Sequence, residues 1–247
     1  MSLNVLEWGE RGAPPLVALH GVTSHGGRFG MLAERGLAER FRILSPDLRG
    51  HGRSPWEPPW SIAQHVADLL ELAPPGPSVW IGHSFGGRLV AEVARQAPDR
   101  VERAIMLDPV LSVDAAIALD KAELERTDAS YESPDEAIEE RLASGLLFST
   151  PRAILEREME EHLVRGEDGR LRYRYCKSAV IAAWGEMATE PPPPPSVPAL
   201  VLLGAESWLR LPQASAGRGV VITVPGGHSL LWDAFEETAT AIDRFLS

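Results

Sequence analysis

Cysteine, lysine and long apolar runs are what this chain has least of. Its single cysteine, Cys176, has no partner for an intramolecular disulfide, which excludes a disulfide-stapled fold and fits a reducing compartment. Lysine occurs only at Lys121 and Lys177, a bias of composition that carries no functional reading. Basic residues are outnumbered 35 to 24 by acidic ones, for a formal net charge of −11. That balance argues against nucleic acid or an anionic membrane as partner, because both are held by basic surface. No stretch approaches the roughly 18 uninterrupted apolar residues of a membrane span. The opening Met1-Ser2-Leu3-Asn4-Val5-Leu6-Glu7-Trp8 lacks the basic and apolar regions of a signal peptide. The expectation is a soluble cytoplasmic protein that acts on a small molecule. Oligomeric state is not legible.

What is present is an alternation of strand and helix patterns. Apolar runs at residues 3–8, 16–20, 41–45, 78–81 and 104–107 alternate with helical patterns at 30–40, 62–73 and 86–97. Such spacing implies parallel pairing through βαβ crossovers, hence a sheet covered on both faces. The unbroken run Leu16-Val17-Ala18-Leu19 agrees with a strand buried on both sides. From Val110 to about Glu190 the chain turns acidic and helical, with Ser133-Pro134-Asp135-Glu136 reading as a helix start. Within it, residues 156–161 read as a solvated helix face. Five prolines at 191–195 then form an extended connector. Alternation resumes with strands at 199–203 and 220–224 and a closing helix at 230–245. The division is therefore a core of residues 1–110 and 196–247 and an insertion of 111–195. A chain of 247 residues suits one such α/β domain.

The most specific local signal is Gly82-His83-Ser84-Phe85-Gly86, set between an apolar strand and an apolar helix. It fits the G-x-S-x-G elbow, in which a strained strand-to-helix turn exposes a serine hydroxyl. The glycines are required because side chains there would collide with tightly packed backbone. A serine hydroxyl is a poor nucleophile until a base takes its proton. His228, in Val224-Pro225-Gly226-Gly227-His228 after the last strand, is placed to serve. Acyl transfer also needs donors for the developing oxyanion. Candidates are the N–H of Phe85, directly after the serine, and that of Val22, in the glycine-softened turn Leu19-His20-Gly21-Val22.

Leu19-His20-Gly21, the run from Asp47 to Ser54, Gly82 to Gly87, and Gly227-His228, in this order and along the whole chain, resemble the α/β-hydrolase fold superfamily. The resemblance implies a three-layer α/β fold, with a mostly parallel eight-stranded sheet and an inserted helical cap. It gives the 47–54 loop, with His51 and Arg53, a structural role. It also implies a triad acid after the seventh strand, where this chain departs from the pattern. That stretch reads Leu203-Gly204-Ala205-Glu206-Ser207-Trp208, with serine at the expected place and glutamate one residue early. The other position used in the superfamily follows the sixth strand, and Asp108, in Met106-Leu107-Asp108-Pro109, stands there. Asp108 is the first candidate and Glu206 the alternative.

The implied activity is a cofactor-independent serine hydrolase with Ser84, His228 and Asp108. It would cleave an ester, thioester or carbon–carbon bond in a small, mainly apolar substrate. Serine at the elbow disfavours dehalogenase and epoxide hydrolase chemistry, whose members use aspartate. A ligand-binding homologue with little turnover is the alternative from another class. Trp184, Met187 and Trp208 are candidates for the substrate pocket. No metal is expected, because His20, His25 and His51 lack the spacing of metal ligands.

Overall fold

The structure is a computed structural model that describes residues 2–247 other than 128, 146, 210, 212–216 and 218. Seven strands form the main sheet among the described residues: β1 (Val5–Trp8), β2 (Pro15–Leu19), β3 (Arg42–Pro46), β4 (Ser78–His83), β5 (Val101–Leu107), β8 (Ala199–Gly204) and β9 (Val220–Val224). Their order is β1-β3-β2-β4-β5-β8-β9. Only β1 runs antiparallel, with Val5 opposite Pro46. The count falls one short of the implied eight. Residues 9–14 turn straight from β1 into β2, through Gly9 at φ 84°.

Successive residues of a strand face opposite sides of a sheet, and both sides here are covered. Leu16, Ala18, Ile81 and Leu107 point into one core; Val17, Leu19, Trp80 and Met106 point into the other. This is why the apolar runs in β2 and β4 are continuous rather than alternating. Helices α1 (Ile62–Leu72) and α2 (Phe85–Gln96) supply Leu69 and Leu89 to the second core. The first is closed by α8 (Phe235–Leu246) through Ile242. The closing helix is interrupted at Ala234, which separates α8 from the short α7 (Leu230–Asp233). The helix expected at 30–40 is also broken, by Gly36 at φ 119°.

The insertion contains α3 (Ala115–Glu125), α4 (Pro134–Ala143), α5 (Arg152–His162) and α6 (Lys177–Met187). It also has an unexpected hairpin, β6 (Leu163–Arg165) with β7 (Leu171–Tyr173). Its two stems leave the core side by side, where Val113 N–H donates to Met187 O at 3.0 Å. Buried Arg88, on the helix that begins just after Ser84, holds both stems by donating to Leu111 O and to Glu190 O. The 47–54 loop joins from below, with Cys176 N–H donating to Gly50 O at 2.7 Å and Gly52 N–H to Arg174 O at 2.8 Å. Among the described residues no helix is long and apolar enough to cross a membrane.

Candidate active site

Ser84 sits between β4 and α2 with φ 57° and ψ −118°, a conformation that costs a non-glycine residue about 1–3 kcal/mol. The neighbouring backbones leave no slack to relieve it. A Cβ on Gly82 would lie 2.2 Å from Gly86 O, and one on Gly86 would lie 2.1 Å from Leu19 O. The elbow is thus wedged between β2 and β4, with its serine at the positive end of α2.

Three side chains from three separate loops meet at that hydroxyl. His228 Nε2 is 3.0 Å from Ser84 Oγ, and its Nδ1 is 2.6 Å from Asp108 Oδ2. Asp108 is fully buried. Its Oδ2 also accepts from Ser207 Oγ at 2.5 Å, and its Oδ1 accepts from Gly204 N–H at 3.0 Å. A carboxylate so placed accepts a hydrogen bond from Nδ1–H and holds the imidazole proton there, which leaves Nε2 as an acceptor for the serine. The alternative acid is not in this arrangement. Glu206 is exposed, because its N–H pairs with Gly226 O and turns the side chain outward. The serine at the expected acid position serves Asp108 instead.

Two buried histidines that the sequence left without a role fasten the loops. His20 Nδ1 donates to Gly21 O at 2.7 Å, and its Nε2 accepts from Leu48 N–H at 2.9 Å. In a trans peptide the C=O and N–H point in opposite directions. Holding the Gly21 carbonyl toward His20 therefore turns the Val22 N–H the other way. Phe85 is the first residue of α2, where an N–H has no partner within the helix. His83 Nε2 donates to His228 O at 2.8 Å and so anchors the backbone of the loop that carries His228. Burial, chiefly, pushes both His20 and His83 well below the ordinary imidazole range, so both are uncharged at neutral pH. The sequence cue was their adjacency to Gly21 and Ser84, but nothing in it showed what their rings would reach.

Beside Ser84 lies a cavity of about 140 Å³ whose walls include Val22, Arg28, Lys121, Arg141, Trp184 and Trp208. Met187, expected with Trp184, is instead fully buried in the core. It lies four residues beyond Ala183, on the helix face that packs inward. Residues 156–161 are likewise not a uniformly solvated face, for Glu158 is buried. It accepts from His25 Nε2 at 3.2 Å and faces Arg28 and Arg141. His25, Glu158 and His162 have ligand atoms within 4.8 Å of one another, spacing that could hold a metal ion. The two guanidinium groups, within 4.0 Å of the Glu158 carboxylate, oppose a further cation there.

The model of a family described as the alpha/beta hydrolase family matches residues 16–241. Lipase LipV of Mycobacterium tuberculosis is 35% identical over 83% of this chain and 78% of its own length. A pimeloyl-[acyl-carrier protein] methyl ester esterase of Methylococcus capsulatus is 38% identical, over 38% of this chain and 36% of that protein. Among solved structures, that of an E-2-(acetamidomethylene)succinate hydrolase superposes with a TM-score of 0.83 at 25% identity, covering 99% of this chain and 94% of that one.

Proposed function

The chain belongs to the alpha/beta hydrolase family, and from that membership we propose that it is an esterase working through Ser84, His228 and Asp108. The observation that carries this reading is the pair of contacts at His228, 3.0 Å to Ser84 Oγ and 2.6 Å to Asp108 Oδ2. Ser84 Oγ attacks the ester carbonyl as His228 Nε2 takes its proton. The carbonyl oxygen becomes an anion held by the N–H groups of Phe85 and Val22, each donor contributing about two to three powers of ten in rate. When the intermediate collapses, the proton on Nε2 passes to the departing alkoxide, and the alcohol leaves an acyl group on Ser84. Water then attacks that acyl group, giving its proton to the same nitrogen, and the acid is released with Ser84 restored. Asp108 keeps the imidazole tautomer correct and stabilises the imidazolium formed in each half.

The relatives named lipase and methyl ester esterase support an ester as the bond cleaved. Residues 111–195 act as a cap, because Lys121, Arg141 and Trp184 from that segment share the cavity wall with Ser84. The single cysteine supports placing this chemistry in a reducing setting such as the cytoplasm. The test is covalent labelling with a small fluorophosphonate, read by intact mass beside a Ser84→Ala control. One adduct, absent from the control, is expected. Its absence from folded protein would refute an activated serine and favour a ligand-binding role.

A further inference from the structure

Part of the lining of the cavity beside Ser84 is a poor match for an uncharged substrate. In a chain of formal net charge −11, three cations from three separate segments, Arg28, Lys121 and Arg141, line that cavity. Arg28 is the most telling. Its side chain is only 5% exposed, and its guanidinium lies over Trp232, 3.4 Å from the ring centroid. Its Nε donates to Ser24 Oγ at 3.2 Å. Its buried Nη1, like the buried Nη1 of Arg141, donates to nothing among the described residues. A guanidinium offers five N–H donors and stays protonated, and Arg28 and Arg141 both belong to the lining of the Ser84 cavity, which makes that cavity the complement of an anion.

The surrounding carboxylates do not satisfy the donors of these two. Glu158 lies 3.9 Å from Arg28 Nη2 and 3.7 Å from Arg141 Nη1, beyond hydrogen-bond length, and its other oxygen accepts from His25. Asp233 attracts Arg28 as well. Its oxygens, however, are taken by the N–H groups of Gly227, Phe148 and Ser149 and by Thr150 Oγ1. His162 is pushed well below the imidazole range by burial, which outweighs the pull of Glu158, and adds no charge. Burial lowers Arg28 to about 10, with Glu158 offsetting only part of the effect, and at neutral pH it remains a cation. The two guanidiniums therefore have two carboxylates near them, Glu158 and Asp233, but no hydrogen bond to either, and Lys121 adds a third positive charge beside Trp208.

We propose that Arg28 and Arg141 form an anion subsite of the Ser84 cavity, and that the ester cleaved here carries a free carboxylate held by them. The planar fork of a guanidinium matches the two oxygens of a carboxylate. Val22, Leu147 and Trp184, which line the same cavity, face the carbon chain between that carboxylate and the ester. This rests on the esterase reading of Ser84, and it replaces the expectation of a mainly apolar substrate. An anionic substrate meets repulsion from the protein as a whole, so its recognition depends on these local cations.

The test compares hydrolysis of monomethyl glutarate with that of its neutral counterpart, methyl 5-amino-5-oxopentanoate, at low ionic strength. The hemiester is expected to have the higher kcat/KM, by at least about tenfold. Arg28→Met is expected to cut that ratio by about 10- to 100-fold, the scale of charge-assisted hydrogen bonds. Arg141→Gln, at a side chain 21% exposed, gives the same reading should Arg28→Met not fold. Equal use of both esters by wild-type protein whose Ser84 reacts with fluorophosphonate overturns the subsite and leaves the esterase standing. Calorimetric titration of Ser84→Ala with glutarate reads the subsite without turnover. Binding that is lost in Ser84→Ala/Arg141→Gln supports the subsite even where no ester is cleaved, and absence of binding overturns it. Tighter binding of inorganic phosphate than of glutarate overturns the assignment to a carboxylate.

Discussion

Replacing Asp108 by asparagine separates the two candidate acids by hydrogen-bond accounting. The carboxylate accepts from three donors, His228 Nδ1 and Ser207 Oγ on one oxygen and Gly204 N–H on the other. Asparagine keeps the shape but turns one acceptor into a donor. If its oxygen stays on Gly204, its amide faces His228 and forces the imidazole proton to Nε2, where it can no longer receive the proton of Ser84. If it flips, two N–H groups confront each other at Gly204 inside a fully buried site, at a cost of about 1–3 kcal/mol. The first arrangement is the cheaper, because the Ser207 hydroxyl can reverse and accept. Asp108→Asn is therefore expected to remain folded and to lose about 10⁴-fold in kcat, measured on 4-nitrophenyl acetate, with the melting temperature as control. Glu206→Gln, at an exposed position, is expected to change kcat by less than about twofold. A loss of 10³ or more in Glu206→Gln, with Asp108→Asn within tenfold of wild type, refutes this reasoning.

Ser207→Ala removes one donor to Asp108 and is expected to lower kcat by about tenfold and stability by about 1–3 kcal/mol, read from kinetics and urea unfolding of the same sample. Gly86→Ala drives a Cβ to 2.1 Å from Leu19 O and is expected to abolish labelling of Ser84. Gly12→Ala, with nothing within 4 Å, is expected to label at the wild-type rate, and equal labelling of the two contradicts the wedge at the elbow. His20→Ala frees the Gly21 carbonyl; a loss of about 10²-fold in kcat with little change in KM is expected, and a change confined to KM argues against a role in orienting Val22. Stability is expected to fall on acidification. Burial lowers His51 to about 4 and His65 to about 3, against about 6.5 for an unfolded histidine. Between those values the unfolded chain binds protons that the folded chain refuses. Their contribution is thus complete above about pH 6.5 and is lost as pH falls toward 4 and 3. Melting temperatures recorded from pH 7 to 4 check this, and a flat profile contradicts it.

Most of the core was legible because its signals are local. The run Leu16-Val17-Ala18-Leu19 announces burial on both sides wherever the strand ends up, and each strand–helix alternation carries its own crossover. What the pattern could not show were interruptions set by single residues. Gly36 at φ 119° breaks a helix whose composition is otherwise adequate, and a turn at Ala234 divides the last one. The hairpin β6–β7 has three-residue strands, too short for a period of two to stand out. It is held by packing and by the pairing of Tyr131 with Leu171, neither of which leaves a mark in local sequence.

At the site, legibility followed the kind of information each residue carries. Ser84 is specified by its own neighbours, because the glycines that relieve the elbow are two residues away on either side. His228 and Asp108 are specified only by where loops end, and there the sequence offered two acids, Asp108 and Glu206, in loops that turn out to be adjacent. Burial sets the two apart. Gly204 and Ser207 present their donors toward Asp108, while Glu206, inside the turn closed by Ser207 N–H on Gly204 O, is held outward with its own N–H on Gly226 O. The seat of the usual acid is thus filled by a group that completes the solvation of the other one. The same logic applies to Glu158. It stands in an acidic run of α5, where composition alone assigns it to solvent, and only the approach of Arg28 from another segment gives it a buried role. A net charge of −11 describes the surface an approaching substrate meets. The charge it meets at Ser84 is set by Arg28, Lys121 and Arg141, which only the fold brings together.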